Sequence, residues 1–419
     1  MMKAIILAAG KGERMEPLTL TRPKPLMPIA GKPFMQHIVE QIREAGIEEI
    51  ILVTNENEGT IKDYFKQDKG ISFAHQEKQL GTAHAVSMAK GMADSALVLN
   101  GDNLPIASDL KKLIAFHKSQ RSICTLSVRK EKDVSHLSSV EFDAKGRIQK
   151  ITEKPKAPKS DYASLGVYIF EKEALTEMEK VKKSDRGEYE IPDAVQNLIT
   201  RNRPVYACEL TYWEHITYPH DLLEANERML GEMEPEILGT VEKGATLIGK
   251  VNVGEGTLVR AGSYIVGPVT IGKDCTIGPN CFIRPATAIG DGCHIGQAVE
   301  IKNSIVFDHT NINHLSYVGD SIIGSHVNIG AGTICANLRF DNRTVSYTVK
   351  GKAVDTGRRK LGAIIADNCQ TGIHSVINPG KRIYPNSCIG PGTVVTEDVP
   401  ADTIYYSEQT ICRKKAERK

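Results

Sequence analysis

The sequence lacks long apolar stretches and paired cysteines. No hydrophobic run approaches the 18 residues of a membrane-spanning helix, and the first residues run directly into a strand pattern, so we expect neither a signal peptide nor a membrane anchor. The nine cysteines are scattered singly without any Cys-x-x-Cys pair. This distribution argues against a zinc site or a disulfide framework and predicts reduced thiols in a cytoplasmic protein.

An excess of charge of one sign is also missing. The formal net charge is only +2, which gives no reason to expect binding to nucleic acid or to a membrane surface. The basic tail at 412–419 is interpreted as a solvated chain end. At 419 residues the chain is too long for one hydrophobic core, so two or more domains are expected.

The first part of the chain alternates two kinds of pattern up to about residue 230. Short apolar runs that predict strands occur at 4–7, 50–53, 96–99 and 167–170. Helical spacing occurs at 36–45, 81–90, 109–119 and 221–233, and Pro235 then marks a break. Such alternation predicts a largely parallel sheet built from βαβ units, with ligands bound at the carboxyl ends of its strands.

Beyond the break the apolar residues recur with a period of six. They occupy positions Val241, Leu247, Val253, Val259, Ile265, Ile271, Ile277, Ile283, Ile289, Ile295, Ile301 and Phe307, and later Ile365, Thr371, Ile377, Ile383, Ile389 and Val395. Neither a helix nor a simple strand has this period, whereas a triangular β-helix does, with one hexapeptide on each face. The polar stretch 339–361 breaks the repeat and is interpreted as a loop that projects from the coil.

The most informative local motif follows the first strand. Gly10 and Gly12 lie in a loop of small residues, where backbone N–H groups can approach phosphates, and Arg14 follows directly. Lys24, held between two prolines, adds a second cation. The third glycine and the acidic residue of a dinucleotide-binding fingerprint are missing, and no Gly-Lys-Ser/Thr follows for a Walker A loop. The motif therefore predicts a different kind of nucleotide site. Asp102, which follows the predicted strand at 96–99, offers an oxygen ligand of the kind that Mg²⁺ prefers.

These motifs resemble those of the sugar-1-phosphate nucleotidylyltransferases, and the resemblance continues through 76–85, 99–102 and 153–155. It implies attack of a sugar-1-phosphate on UTP or dTTP, with release of pyrophosphate and Mg²⁺ as cofactor. By this resemblance Arg14, Lys24 and Asp102 are catalytic. The nucleotide would be bound by Leu7, Ala9, Gly10, Gly12, Gln76, Gly81 and Thr82, and the sugar phosphate by Glu153, Lys154 and Gly166.

The chain departs from the family pattern at two positions of this site. Ser164-Leu-Gly166 stands where many members have Asn-Thr-Gly in contact with the sugar. In the segment 213–217, His215 occupies the place at which many members supply a second acidic or amide ligand to the metal. A neutral imidazole is a poor ligand for Mg²⁺, so the sequence leaves the second metal ligand open.

The hexapeptide half resembles the left-handed β-helix acyltransferases, which are typically trimers with acyl-CoA sites between subunits. Matching motifs imply that His314 is the catalytic base and that the acetyltransferase substrate is bound by Arg284, Lys302, Tyr317 and Asn328, with Ala331 on the acetyl-CoA side. The family's tyrosine after Asn337 is replaced by Leu338. The projecting loop is expected to supply replacement contacts to the phosphate. Its candidate cations are Lys350, Lys352, Arg358, Arg359 and Lys360, and the pattern does not choose between them.

The two halves together resemble the archaeal-type bifunctional N-acetylglucosamine-1-phosphate uridylyltransferases/glucosamine-1-phosphate acetyltransferases. The expected architecture is an α/β, Rossmann-like nucleotidyltransferase domain over 1–230 with a mixed, mainly parallel sheet, followed by a left-handed parallel β-helix acetyltransferase domain over 237–411. The expected assembly is a homotrimer. Two alternatives stay open: a glucose-1-phosphate uridylyl- or thymidylyltransferase with the β-helix as scaffold, and a non-catalytic regulatory subunit. The presence of Arg14, Lys24, Asp102 and His314 argues against the regulatory subunit.

Overall fold

The computed structural model describes residues 1–55, 58–212, 214–408 and 410; the predicted tail at 412–419 lies outside them. The chain divides into two compact units. The first contains Met1–Gly12, Pro23–Met27 and Lys32–Ile216. The second contains Glu13–Arg22, Pro28–Gly31 and the chain from Thr217 onward. Among the helices of the described part, none is long and apolar enough to cross a membrane.

In the described residues that precede the repeats there are thirteen strands and seven helices. The strands are β1 (Lys3–Leu7), β2 (Pro28–Ile29), β3 (Lys32–Pro33), β4 (Ile50–Thr54), β5 (Ile71–His75), β6 (Ser95–Asn100), β7 (Asn103–Leu104), β8 (Cys124–Lys130), β9 (Ser138–Phe142), β10 (Ile148–Glu153), β11 (Tyr162–Glu171), β12 (Val205–Glu209) and β13 (Glu214–His215). The helices are α1 (Phe34–Glu44), α2 (Glu58–Phe65), α3 (Thr82–Ser87), α4 (Ala107–Gln120), α5 (Lys172–Glu177), α6 (Ile191–Thr200) and α7 (Pro219–Glu232). Short 3₁₀ turns occur at Glu13–Met15, Leu18–Leu20, Lys24–Leu26 and Met178–Lys180.

A twisted mixed sheet forms the centre of the first unit. Its strand order is β10-β9-β11-β6-β1-β4-β5, with β8 beside β11 and β12 beside β8. The described pairings are half parallel (β1 with β4 and β6, β4 with β5, β12 with β8) and half antiparallel. The predicted mixed sheet is confirmed, but parallel pairing does not predominate as predicted, because β11 pairs antiparallel with β6, β8 and β9. Because side chains alternate along a strand, Ile5 packs into the cluster under α3, α5 and α6 while its neighbours face the other side.

The second unit contains a parallel β-helix of short strands. They are β14 (Thr240–Val241), β15 (Thr246–Ile248), β16 (Val251–Val253), β17 (Leu258–Val259), β18 (Tyr264–Val266), β19 (Val269–Ile271), β20 (Thr276–Ile277), β21 (Phe282–Ile283), β22 (Thr287–Ile289), β23 (His294–Gln297), β24 (Glu300–Lys302), β25 (Ile305–Val306), β26 (Asn311–His314), β27 (Tyr317–Gly319), β28 (Ile322–Ile323), β29 (Asn328–Ile329), β30 (Ile334–Cys335), β31 (Ser346–Val349), β32 (Lys352–Asp355), β33 (Ile364–Ile365), β34 (Gln370–Thr371), β35 (Val376–Ile377), β36 (Arg382–Ile383), β37 (Cys388–Ile389), β38 (Val394–Val395) and β39 (Ile404–Tyr405).

Apart from the pair β31–β32, these strands stack into three parallel sheets. The first runs from β14 to β39, the second from β15 to β38 and the third from β16 to β36. Each coil contributes one strand to each sheet, and the repeated aliphatic of each strand points into a single apolar core. The predicted left-handed parallel β-helix is confirmed.

The prediction is wrong at Phe307, because two coils are one residue shorter than the others. Ile289 pairs with Val306, and Val306 pairs with Ile323, so both partners lie 17 positions apart instead of 18. The inward position therefore belongs to Val306, which lies in the β-helix core. Phe307 is buried elsewhere, with the guanidinium carbon of Arg22 5.1 Å from the centroid of its ring.

The outer face of the third sheet is covered within the second unit, whereas the other two sheets expose side chains. Outward residues of the third sheet such as Ile305 and Ile322 are fully buried. Helix α7 packs on β22, and the Asn226 side chain links the Ala30 backbone N–H (2.8 Å) to the Ala286 carbonyl (2.9 Å). This face is therefore a packing surface of the unit.

The stretch 339–361, predicted as a projecting loop, contains an antiparallel hairpin. Strands β31 and β32 pair from Ser346–Asp355 to Val349–Lys352. Tyr347 is buried, and its hydroxyl lies 2.7 Å from His220 Nδ1 at the start of α7. The hairpin is thus held to α7 by the buried Tyr347, a contact that the polar composition of the segment does not predict.

Candidate active sites

Asp102 lies at the centre of a charged cluster in the first unit. It follows β6, at the carboxyl end of a parallel strand, and its Oδ2 atom lies 3.1 Å from Lys24 Nζ. His215 Nε2 lies 3.0 Å from the same oxygen, because β13 pairs with β7 and brings His215 opposite Asn103. The sequence assigned separate roles to these residues, and the structure brings them together.

The carboxyl group of Asp102 is held in its charged form. Its burial alone would raise the pKa, but the charges of Lys24 and His215 and their hydrogen bonds outweigh this effect, so the pKa of Asp102 lies well below its ordinary value. The side chain keeps 22% of its surface exposed, and among the described residues no hydrogen bond reaches Oδ1. One carboxylate oxygen thus remains available to a ligand.

The glycine-rich loop at Gly10 and Gly12 is held by hydrogen bonds to the residues that precede it. The Asn55 side chain donates to the Ala9 carbonyl (2.7 Å), and the Gly101 N–H donates to the Leu7 carbonyl (2.9 Å). Within the described chain the N–H groups of Ala9, Gly10 and Lys11 donate to no other residue. Successive free N–H groups at the end of a strand form a concave site suited to an anion.

Arg14 belongs to a 3₁₀ turn of the second unit. Its side chain is exposed, and its guanidinium carbon lies 5.9 Å from the centroid of the Tyr218 ring. The neighbouring Glu13 forms an ion pair with Lys350 at the tip of the hairpin. Lys350, considered above as a phosphate contact, therefore already has a protein partner, while Lys352, Arg359 and Lys360 are exposed.

Gln76, Gly81 and Thr82 lie in one segment that leads into α3. The Gln76 side chain is buried and donates to the Gly81 carbonyl (3.3 Å), and the Thr82 hydroxyl accepts the Ile191 N–H (3.1 Å). Gly81 has φ +122°, and a Cβ atom there would lie 2.3 Å from the Tyr189 carbonyl oxygen. Only glycine fits this backbone, so the segment is held in one shape.

The residues predicted to bind the sugar phosphate lie at β10 and β11. Glu153 accepts hydrogen bonds from Ser138 and from Arg186 (3.1 Å), and Lys154 Nζ lies 3.7 Å from the Glu153 carboxylate. Gly166 (φ +73°) lies where β11 shifts its register against β8, and a Cβ there would meet the Asn100 side chain at 2.4 Å. Arg186 was missed, because only the folded chain brings it to Glu153.

In the second unit two cations stand in one column of the second sheet. Arg284 follows the inward Ile283 and Lys302 follows the inward Ile301, and these aliphatics pair across adjacent coils. Arg284 is paired with Glu300 (2.8 Å). Lys302 Nζ lies 3.2 Å from the Asp320 carboxylate. The predicted phosphate-binding cations are therefore neighbours, each with an acidic partner that the sequence motif did not indicate.

His314 ends β26 of the first sheet, and Tyr317 begins β27 of the second sheet. The His314 side chain is exposed, and its ring makes no hydrogen bond to any other described residue. Asn328 is exposed one coil further along, where β29 pairs with β26. Ala331 is half-buried, and its carbonyl accepts the His374 N–H (2.8 Å).

Tyr317 receives a hydrogen bond from Asn337 Nδ2 (3.1 Å), and the same amide donates to Asp320 (2.6 Å). Asp320 was missed by the sequence interpretation, although it directly follows Tyr317-Val-Gly319. A carboxylate after a glycine is ordinary in such repeats, so only its contacts reveal it.

Comparisons with known proteins match both halves of the chain. A model of the nucleotidyl transferase family matches residues 3–232, and a model of the GMPPB C-terminal domain matches residues 265–370. The bifunctional protein GlmU of Methanocaldococcus jannaschii is 40% identical over 416 residues, which cover 99% of this chain and 100% of that protein. The bifunctional sugar-1-phosphate nucleotidylyltransferase/acetyltransferase of Sulfurisphaera tokodaii is 39% identical over 95% of this chain and 98% of its own length.

The chain belongs to this family of bifunctional sugar-1-phosphate nucleotidylyltransferase/acetyltransferases. It is therefore a transferase with a nucleotidyltransferase half and an acyltransferase half. A solved UDP-glucose pyrophosphorylase in complex with UDP-glucose matches with a TM-score of 0.51 and 24% identity, covering 56% of this chain and 100% of that structure. This second likeness concerns the fold alone.

Proposed function

We propose that the chain makes UDP-N-acetylglucosamine in two steps. It acetylates glucosamine-1-phosphate with acetyl-CoA, and it transfers a uridylyl group from UTP to N-acetylglucosamine-1-phosphate. The observation that carries the proposal is the match, over nearly the whole chain, to bifunctional relatives, one of which bears both activities in its name. The cluster at Asp102 and the paired cations at Arg284 and Lys302 supply suitable chemistry in each half.

In uridylyl transfer a phosphate oxygen of the sugar-1-phosphate attacks the α-phosphorus of UTP. The bond from this phosphorus to the bridging oxygen breaks, and pyrophosphate leaves. Positioning and charge neutralisation supply most of the catalysis in such a reaction. In this proposal the loop at Gly10 and Gly12 and the Arg14 guanidinium bind the leaving phosphates, and Lys24 binds the α-phosphate or the incoming phosphate.

The remaining residues of this site would define the two substrates. Gln76, Gly81 and Thr82 form a rigid edge that suits recognition of the base, while Glu153 and Lys154, near Gly166, offer a carboxylate and an ammonium for the sugar phosphate. Arg186, which donates to Glu153, would orient that carboxylate.

The residues at Asp102 fit a magnesium ion. Mg²⁺ is usually bound in enzymes through one or two carboxylates, with water and substrate phosphates completing its octahedron. Asp102 offers one ionised carboxylate with a free oxygen, whereas His215, already against the other oxygen, is a poor ligand for this ion. When bound, the ion would neutralise phosphate charge, and Lys24 would then hold the second oxygen in place.

In acetyl transfer the amine nitrogen of the sugar attacks the thioester carbonyl of acetyl-CoA. The carbon–sulfur bond breaks, the thiol of CoA leaves, and the amine loses a proton. His314 is placed in the role of base, because its ring is exposed and uncommitted to any hydrogen bond within the described residues. Arg284 and Lys302 would bind the phosphate, Tyr317 and Asn328 the sugar, and Ala331 would line the acetyl-CoA side.

A homotrimer completes the proposal. On the outer face of the second sheet Tyr264 and Phe282 are exposed neighbours, and Ile334 is exposed three coils beyond Phe282 in the same ladder. Exposed apolar patches of this kind commonly mark protein interfaces, and flat β-helix sides suit rotational symmetry. The cytoplasmic location stays a prediction.

The proposal is tested by incubating the full chain with acetyl-CoA, UTP, Mg²⁺ and a panel of sugar-1-phosphates, with products identified by mass. We expect N-acetylglucosamine-1-phosphate and UDP-N-acetylglucosamine from glucosamine-1-phosphate. Nucleotide transfer to glucose-1-phosphate without any acetylation would instead support the alternative in which the β-helix is a scaffold.

A further inference from the structure

The second unit contains a buried carboxylate with an unusual set of donors. The Asp320 side chain is only 4% exposed, and three side chains donate to it. Asn303 Nδ2 reaches Oδ1 at 2.7 Å, while Asn337 Nδ2 (2.6 Å) and Lys302 Nζ (3.2 Å) reach Oδ2. A buried charge is tolerated only when it is compensated in this way. Two of the donors belong to or adjoin the proposed sugar-phosphate site.

We propose that Asp320 is the positioning residue of the acetyltransferase site: it holds the Lys302 ammonium and, through the Asn337 amide, makes the Tyr317 hydroxyl a hydrogen-bond donor towards the phosphorylated sugar. This inference rests on the proposed acetylation of glucosamine-1-phosphate. Asp320 itself touches no substrate in it and acts through its three neighbours.

Each hydrogen bond between Asp320, Asn337 and Tyr317 has a fixed direction. An ionised carboxylate can only accept, so the Asn337 side chain must turn its NH₂ group, and not its oxygen, towards Asp320. The second N–H of that group then points at the Tyr317 hydroxyl, which accepts it at 3.1 Å. The hydroxyl proton of Tyr317 is thereby left for another acceptor, such as a phosphate or hydroxyl oxygen of the sugar.

Tyr317 also keeps that proton. Burial raises the pKa of Tyr317 and the nearby charge of Asp320 adds to this effect, although the hydrogen bond from Asn337 opposes it. Lys302 uses one of its three N–H bonds on Asp320, and its side chain is 22% exposed. The buried Asp320 carboxylate therefore positions two outward donors, the neutral Tyr317 hydroxyl and the charged Lys302 ammonium.

The space for this network depends on the glycine between its members. A Cβ atom on Gly319 would lie 2.3 Å from the Tyr317 hydroxyl oxygen and 2.7 Å from Asn337 Nδ2. Gly319 also faces Lys302 across the adjacent coil. The absence of a side chain there allows the amide and the hydroxyl to meet.

The test compares Asp320→Asn with Asp308→Asn in the full chain. Asp308 also lies in the β-helix, and among the described residues its carboxylate accepts one hydrogen bond, from the Asp291 backbone N–H (2.9 Å), so the control removes the same charge away from the site. We expect Asp320→Asn to raise KM for glucosamine-1-phosphate roughly 10- to 100-fold, the usual effect of leaving buried polar groups mispaired. The kcat of acetylation and all constants of uridylyl transfer should change little, and Asp308→Asn should leave both activities intact.

A double-mutant cycle separates positioning from a general structural role. In a Tyr317→Phe background the effect of Asp320→Asn should shrink, because the hydroxyl that the network orients is gone, and only the part through Lys302 should remain. An Asp320→Asn effect on KM of the same size in both backgrounds, or a loss confined to kcat, would overturn the proposal.

If Asp320→Asn does not fold, as judged by thermal unfolding and by lost uridylyl transfer, Asn337→Ala interrupts the same path. Asn337→Ala and Tyr317→Phe should then have similar effects on KM, and their combination should cost no more than either alone; additive losses contradict the proposal. A wild-type chain that does not acetylate glucosamine-1-phosphate would refute the proposed function itself. An active wild type with an unaffected, folded Asp320→Asn variant would refute the role of Asp320 alone.

Discussion

At the residue scale, the two halves use different side chains for different chemistry. Lys24 and Asp102 are in contact with each other, so each fixes the position of the other. His314 has no such partner among the described residues and is oriented only by the coil that carries it. Loss of a single side chain should therefore affect one activity only.

Lys24→Ala and Asp102→Ala should abolish uridylyl transfer, with losses of at least about 10²–10³ in kcat, because each removes charge that neutralises or orients phosphate. Acetylation should be unchanged. Rates of both reactions measured on the same preparations test this, with the exposed Lys145→Ala as a control. Parallel loss of both activities in folded protein would contradict the assignment of separate sites.

His314→Ala should lower kcat of acetyl transfer by roughly 10²–10⁴, the usual contribution of a general base. The acid limb of the pH–rate profile should move or vanish, since an imidazole titrates near neutral pH. KM for glucosamine-1-phosphate should change little, because Arg284 and Lys302 remain. A nearly normal kcat with a greatly raised KM would assign His314 to binding instead.

At the element scale, the segment at Gln76–Thr82 shows how backbone shape makes a binding edge. Gly81 stands where a side chain would strike the Tyr189 backbone, and its φ lies in the region that favours glycine. Gly91 has a similarly positive φ (+75°) but open space around it. Gly91 is therefore a control glycine with a positive φ but without the collision that Gly81 shows.

Gly81→Ala should raise KM for UTP roughly tenfold, because displacing the segment costs about 1–3 kcal/mol. Gly91→Ala also places a side chain at a positive φ but without any collision, and it should leave KM unchanged, with only a slight loss of stability. Steady-state kinetics and thermal unfolding of both variants distinguish the effects. Equal kinetic behaviour of the two variants would remove Gly81 from the binding edge.

The elements also show what a sequence can and cannot predict. The strand before Gly10 and the coils around Ile265 or Ile277 were predictable, because both depend on local spacing of apolar residues. The shift from Phe307 to Val306 was not, since a shortened coil is visible only in its pairing with the next one. Nor was Asp320, whose role arises from contacts that the coiling of the chain creates.

At the scale of the whole molecule, the second unit covers its core with residues from outside the hexapeptide repeats. The third sheet buries its outer residues against segments that include α7, which begins well before the first repeat. A fragment that begins at 237 would expose this surface. We therefore expect a unit that begins near residue 217 to be more stable than one that begins at 237.

A fragment of residues 217–419 should be a soluble trimer, whereas 237–419 should be less stable and more prone to aggregate, because it lacks the apolar face of α7. Light scattering and thermal unfolding of both fragments give the answer. A stable monomer from the longer fragment would count against the trimer, and equal stability of the two would show that α7 is dispensable.

The hairpin inserted at β31–β32 has a consequence for how such proteins change length. Ile323 and Ile365 are neighbours in the third sheet although 42 positions separate them, whereas Ile365 and Ile383 are separated by 18. Both steps advance the stack by one layer. Since lengthening a closed loop about twofold costs only about 0.6 kcal/mol, the corner between two layers can accept new sequence while the layers themselves stay in register. New surface features can thus arise on a β-helix without any redesign of its interior, and chain length says little about its height.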